Sequence, residues 1–366
     1  MPEAPAAPTL RDAESWMKLD YSPQLPEFLG AQRISLAITT YQYNKLILLG
    51  LNAQGQIAVF ERTFGRPMGL WSDSQTVWMS TRYQLWRFEN TVLPQHLYEG
   101  HDRLYVPRAG YTTGSIDAHD LGVDERGEVV FVNTQFNCLA RLHRRDSFEP
   151  FWRPEFISSI APEDRCHLNG LAMDNDKPRF VTACGTSDLK DGWRETRMNG
   201  GVVMDVASNA IVARGLSMPH SPRVYRDHLY LHDSGTGRFG RFSLCNLTSS
   251  ATAQFEPIAF CPGYLRGLCF AGDYAIVGLS QPRHEKTFAG LGLEDELKQR
   301  NVEPRCGVQV IDLRTGRVAH EIMITGEVRE LYDVVTMPGV RRPMALGFKT
   351  DEIERLVTVP QVQSKP

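Results

Sequence analysis

The sequence predicts an all-β chain: a six-bladed β-propeller with four-stranded blades, closed by N-terminal strands that complete the last blade. Three observations carry this. A short motif recurs about every 50 residues. Short apolar runs alternate with Gly, Asp and Asn turns. Three strand-like runs precede the first motif and have no blade of their own.

Each motif is a polar or unusual residue, then Gly, Asp or Ser, then usually Leu, leading into a strand, a turn and a second strand. The copies are Arg66-Pro67-Met68-Gly69-Leu70, Ala118-His119-Asp120-Leu121, His167-Leu168-Asn169-Gly170-Leu171, Pro219-His220-Ser221-Pro222, Leu265-Arg266-Gly267-Leu268 and Leu331-Tyr332-Asp333-Val334. With Met68, His119, Asn169, His220, Arg266 and Tyr332 as anchors, the gaps are 51, 50, 51, 46 and 66. That period is the size of a propeller blade. The runs Ile34 to Thr39, Lys45 to Leu51 and Gln56 to Arg62 come before the first anchor. Too little chain follows Tyr332 for a whole blade, so these runs are expected to complete it and remove exposed sheet edges.

The domain reading follows. Residues 1–30 are expected as a tail and lead-in, 31–350 as one propeller, and 351–366 as a C-terminal tail. The long fifth gap holds an insertion at about 286–302, where Leu291, Leu293 and Leu297 among Glu294, Asp295, Glu296 and Lys298 predict the one helix. It is expected on a propeller face, as a solvated decoration or as a lid. Met1 to Pro8 and Val362 to Pro366 read as disordered.

Composition narrows the partners. A net charge of −3 without a Lys/Arg run gives no reason to expect nucleic acid. The longest apolar run, Lys45 to Leu51, is far short of a membrane span. Seven scattered cysteines without a C-x-x-C pair, and an N-terminus lacking the basic and apolar regions of a secretory signal, lead to the expectation of a cytoplasmic protein with reduced thiols.

In a propeller the innermost strand of each blade lines the channel, so the six anchors form an inward ring. Five of them can hydrogen-bond or carry charge, which is costly in a buried channel unless they satisfy one another or bind something. His119, His220 and Tyr332 belong to alternate blades and approach the axis from directions about 120° apart. The two imidazoles with Asp120 or Asp333 make a two-histidine, one-carboxylate donor set for zinc, iron or manganese in preference to calcium. Tyr332 and Asn169 would then serve proton transfer or orientation, and Arg266 would bind an anionic group. Arg82, Arg223, His167, Glu330 and Asp233 lie close enough to anchors or strand ends to bind substrate.

Structural readings stand beside these. The histidines also suit a hydrogen-bonded channel, Asn169 before Gly170 suits a strand start, Arg266 suits an ion pair with Glu330 or Asp333, and Asp233-Ser234-Gly235 suits a turn. Cys166 beside His167 suits a ligand or nucleophile, or a small buried apolar group. Arg66, Arg82, Arg108, Arg165 and Arg223, if gathered on one rim, would favour a carboxylate or phosphate.

Several segments resemble an uncharacterised bacterial family of about this length. They are Ser35 to Gln42, Phe60 to Leu70, Arg165 to Met173, Ser217 to Arg223 and Arg341 to Phe348, and the likeness spans nearly the whole chain. More distantly, Asn169-Gly170-Leu171-Ala172 before an Asp-containing turn is similar to the gluconolactonase, senescence-marker and strictosidine-synthase-like six-bladed propellers. That resemblance implies a channel cation held by Glu, Asn and Asp, with lactone or organophosphate-ester hydrolysis. Asn169 matches it and the histidines do not. The histidines with Tyr332 and Arg266 resemble instead, by residue type, the peptide-amidating lyase propeller with its histidine-bound zinc. Together these lead to the expectation of a metal-assisted hydrolase or lyase acting on a small, anionic molecule or a peptide in the channel. The alternative is a non-catalytic propeller that binds a ligand or a protein.

Overall fold

The structure is a computed structural model that describes residues 16–249, 253–282 and 289–359. Side chains along a strand point alternately to its two faces, and here both faces are apolar. Val130 and Val132 pack with Leu171 and Val181, while Val129 and Phe131 pack with Trp78 and Leu85. The same split divides Leu46 and Leu48 from Ile47 and Leu49. A sheet buried on both faces must be covered on both. Six such sheets achieve this by closing into a ring, each covering its neighbours, and apolar clusters fill the gaps between them.

The six inner strands are Leu70–Ser72, Ala118–Val123, Leu168–Asp174, Pro219–Tyr225, Tyr264–Ala271 and Asp333–Pro338, and they define blades 1 to 6. The expected closure is present. Asp333–Pro338 pairs antiparallel with Ile34–Thr40, from Thr39 opposite Asp333 to Ile34 opposite Pro338. Lys45–Leu51 and Ile57–Thr63 complete blade 6. Strands from near the two ends of the chain thus share one sheet.

Four points differ from the sequence reading. Blades 1 and 5 have five strands, because Pro343–Ala345 pairs parallel to Arg103–Thr112 and Met17–Tyr21 pairs with Val318–Gly326. Each addition covers an outer edge. Residues 16–30, read as lead-in, are built into the fold; besides the added strand they form the helix Leu25–Gln32, whose Leu25, Phe28 and Leu29 at i, i+3 and i+4 are buried between blades 5 and 6. Residues 1–15, including the Met1 to Pro8 tail, lie outside the described residues. At the C-terminus Glu352–Arg355 is a helical turn tied down by Arg62 on Glu352 at 2.7 Å, and Val362 to Pro366 lies outside the described residues. The expected helix is not alone: short helices also occur at Trp193–Thr196 and Leu244–Ser249.

The insertion helix itself runs Gly292–Arg300; Phe288 lies outside the described residues. Leu293 and Leu297 are its buried pair, Glu294 and Asp295 sit in the first turn, and Lys298 and Arg300 in the last, in accord with the helix dipole. Asn301 ends it in the left-handed region at φ 52°. No helix among the described residues is long and apolar enough to cross a membrane.

Candidate functional site

Two backbone devices hold the anchors in place. In five blades a hydroxyl at the end of the second strand donates to a carbonyl at the next anchor. Thr39 donates to Met68, Ser80 to Ala118, Thr134 to Leu168, Ser234 to Leu265 and Ser280 to Leu331, at 2.6 to 3.0 Å. In blade 3 the corresponding residue is Cys184, which accepts from Asn169 Nδ2 at 3.3 Å.

The second device is an alternation at the position after each anchor. Blades 1, 3 and 5 have Gly69, Gly170 and Gly267, and blades 2, 4 and 6 have Asp120, Ser221 and Asp333. Asp333 Oδ2 accepts from Leu70 N at 2.8 Å, Asp120 Oδ2 from Leu171 N at 2.9 Å and Ser221 Oγ from Gly267 N at 2.9 Å. The glycines give the room this requires. A Cβ on Gly170 would stand 2.2 Å from Pro222 Cδ, and one on Gly267, at φ +78°, 2.5 Å from Val334 N.

Anchors from blades 2 to 6 meet at the axis. His119, Asn169, His220, Arg266 and Tyr332 line one enclosed cavity together with Asp120, Ser221, Arg223 and Asp333. His119 Nδ1 lies 2.9 Å from the Asp117 carbonyl and 2.8 Å from Thr134 Oγ1, whose own hydrogen goes to Leu168. His220 Nδ1 lies 2.8 Å from the Met218 carbonyl. Both partners are acceptors, so this network assigns the hydrogen to Nδ1 and leaves a lone pair on Nε2. Burial is the main force holding both rings neutral; it lowers His119 to about 4 and His220 well below its usual value, and the Arg266 charge adds to this. His167 repeats the pattern with Nδ1 2.9 Å from Asp164 Oδ2, and its ring meets His119 edge to face at 4.9 Å.

Arg266 stands over the rings of Tyr332 at 4.8 Å and Tyr264 at 5.7 Å. No carboxylate among the described residues reaches it at ion-pair distance, so the expected pairing with Glu330 or Asp333 does not form. The Tyr332 hydroxyl is buried with no hydrogen-bonding partner among the described residues. Asn169 takes Thr182 Oγ1 on its oxygen at 2.7 Å and points its nitrogen toward His220 Nε2 at 3.5 Å. A charged group, an orphaned hydroxyl and two lone-pair nitrogens thus face one small space.

The carboxylates do something else. Arg223 clasps Asp120 with two bonds, 2.7 and 3.1 Å, and stands 4.0 Å from Asp333. Asp120 also accepts from Leu121 N and Leu171 N, and Asp333 from Leu70 N and Val334 N. Asp120 thus has its four lone-pair directions taken, and Asp333 is turned onto the Leu70 and Val334 N–H groups beside Arg223, so neither carboxylate is aimed at the two imidazoles. Among the described residues no three His, Cys, Asp or Glu side chains are placed to hold a metal together. The reason is the alternation above, which turns each carboxylate sideways onto the next blade.

Of the remaining expected residues, Glu330 lines the neck above the cavity and accepts from the Tyr41 hydroxyl at 2.5 Å. His167 backs His119, and Arg223 lines the anchor cavity with its guanidinium held on Asp120. Two fall elsewhere. Arg82 is exposed on the turn after the second strand of blade 1, and Asp233 caps its own turn, accepting from Ser217 N and Thr236 Oγ1 at 2.6 Å each. The arginines are not on one rim: Arg165 pairs with Glu163 and Asp188, Arg108 reaches Thr358, and Arg66 alone joins the mouth, on Asp117 at 3.2 Å. Cys166 is fully buried and burial pushes its thiol far up, which makes it a packing residue.

The insertion, expected as a solvated decoration or as a lid, packs against a second segment that the sequence reading did not single out. The segments from Cys184 to Arg197 and from Ala289 to Val302 pack together beside the mouth. Trp193 stacks on His167 at 4.2 Å and donates to Asp164 at 3.1 Å. It shares an apolar cluster with Met218, Tyr264, Leu291, Leu293 and Leu297, and Arg197 donates to the Ala289 carbonyl at 3.0 Å. The insertion is thus a packed cover over one side of the channel. Tryptophan and leucines inside otherwise polar insertions were the available signal.

A family profile described as a domain of unknown function (DUF4915) matches residues 23–346. No curated protein sequence matches the chain. Among solved structures, a chain of a nidogen/laminin complex is 12% identical, with 84% of this chain and 99% of that one covered and a TM-score of 0.52. A gluconolactonase from Xanthomonas campestris is 13% identical over 79% of this chain and 84% of its own, with a TM-score of 0.45. The virginiamycin B lyase of Staphylococcus aureus is 12% identical over 72% and 96%, with a TM-score of 0.40. At 12% identity the likeness to the nidogen/laminin chain is one of fold alone.

Proposed function

The chain belongs to the DUF4915 family, whose description carries no activity, and from the channel alone we propose an enzyme that acts on a carboxylate-bearing molecule by acid–base chemistry. The reading is of lyase or hydrolase type. Arg266 holds the anionic group, His119 Nε2 accepts a proton from the substrate, and the Tyr332 hydroxyl hydrogen-bonds the negative charge that develops. His220, oriented through Asn169, is the second base in reach of the same space.

The observation that supports this is a guanidinium without a carboxylate partner among the described residues, beside a buried hydroxyl that has no partner among them and two neutral imidazoles. A buried hydroxyl left unpaired costs about 1–3 kcal/mol, which a polar ligand atom would recover. An anion docked on Arg266 would also offset part of the field that opposes protonation of the imidazoles, bringing them toward a working range.

The test needs no prior substrate. A panel of 2-hydroxy, 3-hydroxy and 2-oxo carboxylates is incubated in deuterium oxide and followed by proton NMR. Exchange or elimination next to the carboxylate, lost in His119→Ala and in Arg266→Gln, is expected. Equal binding by Arg266→Gln and the parent would defeat the site assignment. Binding that needs Arg266 without any reaction would turn the reading to a binding propeller.

A further inference from the structure

The anchor cavity has a volume of about 10 Å³. A single water needs about 10–15 Å³ of such space, together with two to four polar partners. The wall supplies four, of two kinds. His119 Nε2 and His220 Nε2 each present a lone pair, because Nδ1 of each ring gives its hydrogen to a main-chain carbonyl. The Tyr332 hydroxyl has a hydrogen with no acceptor among the described residues, and the Arg266 guanidinium has N–H groups that no carboxylate among them meets. Asn169 does not close the gap. Its nitrogen stands 3.5 Å from His220 Nε2, at the outer limit of a hydrogen bond, and 3.3 Å from Cys184 Sγ.

We propose that this cavity binds one water molecule, which donates to His119 Nε2 and His220 Nε2, accepts from the Tyr332 hydroxyl and Arg266, and so joins the two imidazoles into a single base. Two acceptors and two donors are the complement of a water. A halide only accepts and would face two lone pairs. An ammonium or a metal cation would face the guanidinium. The water rests on the cavity alone, and the joining of the bases rests on the acid–base reading above. Once His119 Nε2 has taken a proton from the substrate, that N–H turns to the water oxygen. The N–H bond breaks as a new O–H bond forms, and one of the water's own O–H bonds breaks as its proton bonds to His220 Nε2. One proton has moved across the channel and the water is unchanged. A bridging water serves nearly as well as a direct hydrogen bond, so each ring senses the other.

A high-resolution crystal structure of the whole chain, from crystals grown without carboxylates and soaked in bromide, tests this. One peak within hydrogen-bond distance of His119 Nε2, His220 Nε2, the Tyr332 hydroxyl and Arg266, without bromine's anomalous signal, is expected. No peak, or a bromide in its place, would overturn the proposal. His220→Phe, whose longer ring reaches into the cavity, should lose the peak. His220→Gln, whose amide oxygen still accepts, should keep it. In nitrogen-15 spectra of histidine-labelled protein, the His119 Nε2 signal should shift toward that of an unbonded nitrogen in His220→Phe and return in His220→Gln. Thermal melting checks that each variant folds. Should His220→Phe unfold, Tyr332→Phe takes its place, since it removes one donor from the same water and should also shift the His119 signal. A His119 signal indifferent to these changes, with the peak present, would overturn the joining of the bases. Failure of the deuterium-exchange panel with the peak present would instead overturn the acid–base reading and leave the water standing.

Discussion

Replacing Arg223 by Met removes the cation from a buried cluster and leaves its volume nearly filled. Asp120 and Asp333, both about 4% exposed, would lose their one guanidinium. Breaking a buried pair from one side costs about 3–5 kcal/mol, because the remaining charge is uncompensated. The pH dependence has a definite sign. Burial already pushes Asp333 up to about 7, with Arg223 opposing it. A carboxyl raised in the folded state stabilises fully below its unfolded value near 4, and that contribution is lost as pH rises toward 7. Without Arg223 the carboxyl moves higher still. The deficit of the variant against the parent should therefore be small near pH 5, where a proton can replace the guanidinium, and largest near pH 8. Urea unfolding followed by tryptophan fluorescence at the two pH values measures it. A deficit under about 1 kcal/mol at pH 8, or one that grows toward acid, would refute the reasoning. Asp333→Asn added to Arg223→Met should recover part of the loss, since an amide oxygen still accepts from Leu70 or Val334.

Three further outcomes are expected. As pH falls from about 6.5 to about 4, His119 and His220, depressed in the fold, take stability from the parent while Asp333 returns some of it, so His119→Gln should gain on the parent steadily toward acid; urea midpoints of the two proteins across this range check it. Binding of a carboxylate at Arg266 should be accompanied by proton uptake at pH 6, seen as a dependence of calorimetric heat on buffer ionisation enthalpy, and the uptake should fall in His119→Gln. Phe131→Ala, at a fully buried position between blades 1 and 2, should cost about 3–5 kcal/mol in urea unfolding without changing carboxylate affinity.

The ring was legible because the repeat unit is also the physical unit: one blade buries one motif against the next, so the 50-residue period had to appear. Closure through Ile34–Thr40 was legible for the same reason, as strands without partners must find one. The helix Leu25–Gln32 was not, since its three buried residues are too few to stand out from a Pro-rich lead-in. At the site, residue types and their equivalence around the axis were readable, and so were Arg266, His119, His220, Asn169 and Tyr332 as neighbours. The cross-blade bonds of Asp120 and Asp333 were not anticipated although their signal was present: Gly alternates with Asp or Ser after the anchors, which marks a side chain reaching across to the next blade. For Trp193 a tryptophan in a polar insertion signalled burial, but its contact with His167 is fixed by the path of that insertion and could not be read from spacing.

The shared sheet of blade 6 also sets a timetable. Ile34–Thr40, buried along its whole length, emerges first during synthesis, and its partner Asp333–Pro338 follows some three hundred residues later. Until then one ladder of N–H and C=O groups is open, so a nascent or prematurely terminated chain exposes a sticky, β-branched edge to any other strand nearby. A permuted gene that begins just before Asp333 and joins the present ends through a flexible linker would make the two strands neighbours in time, and would be expected to fold faster and aggregate less.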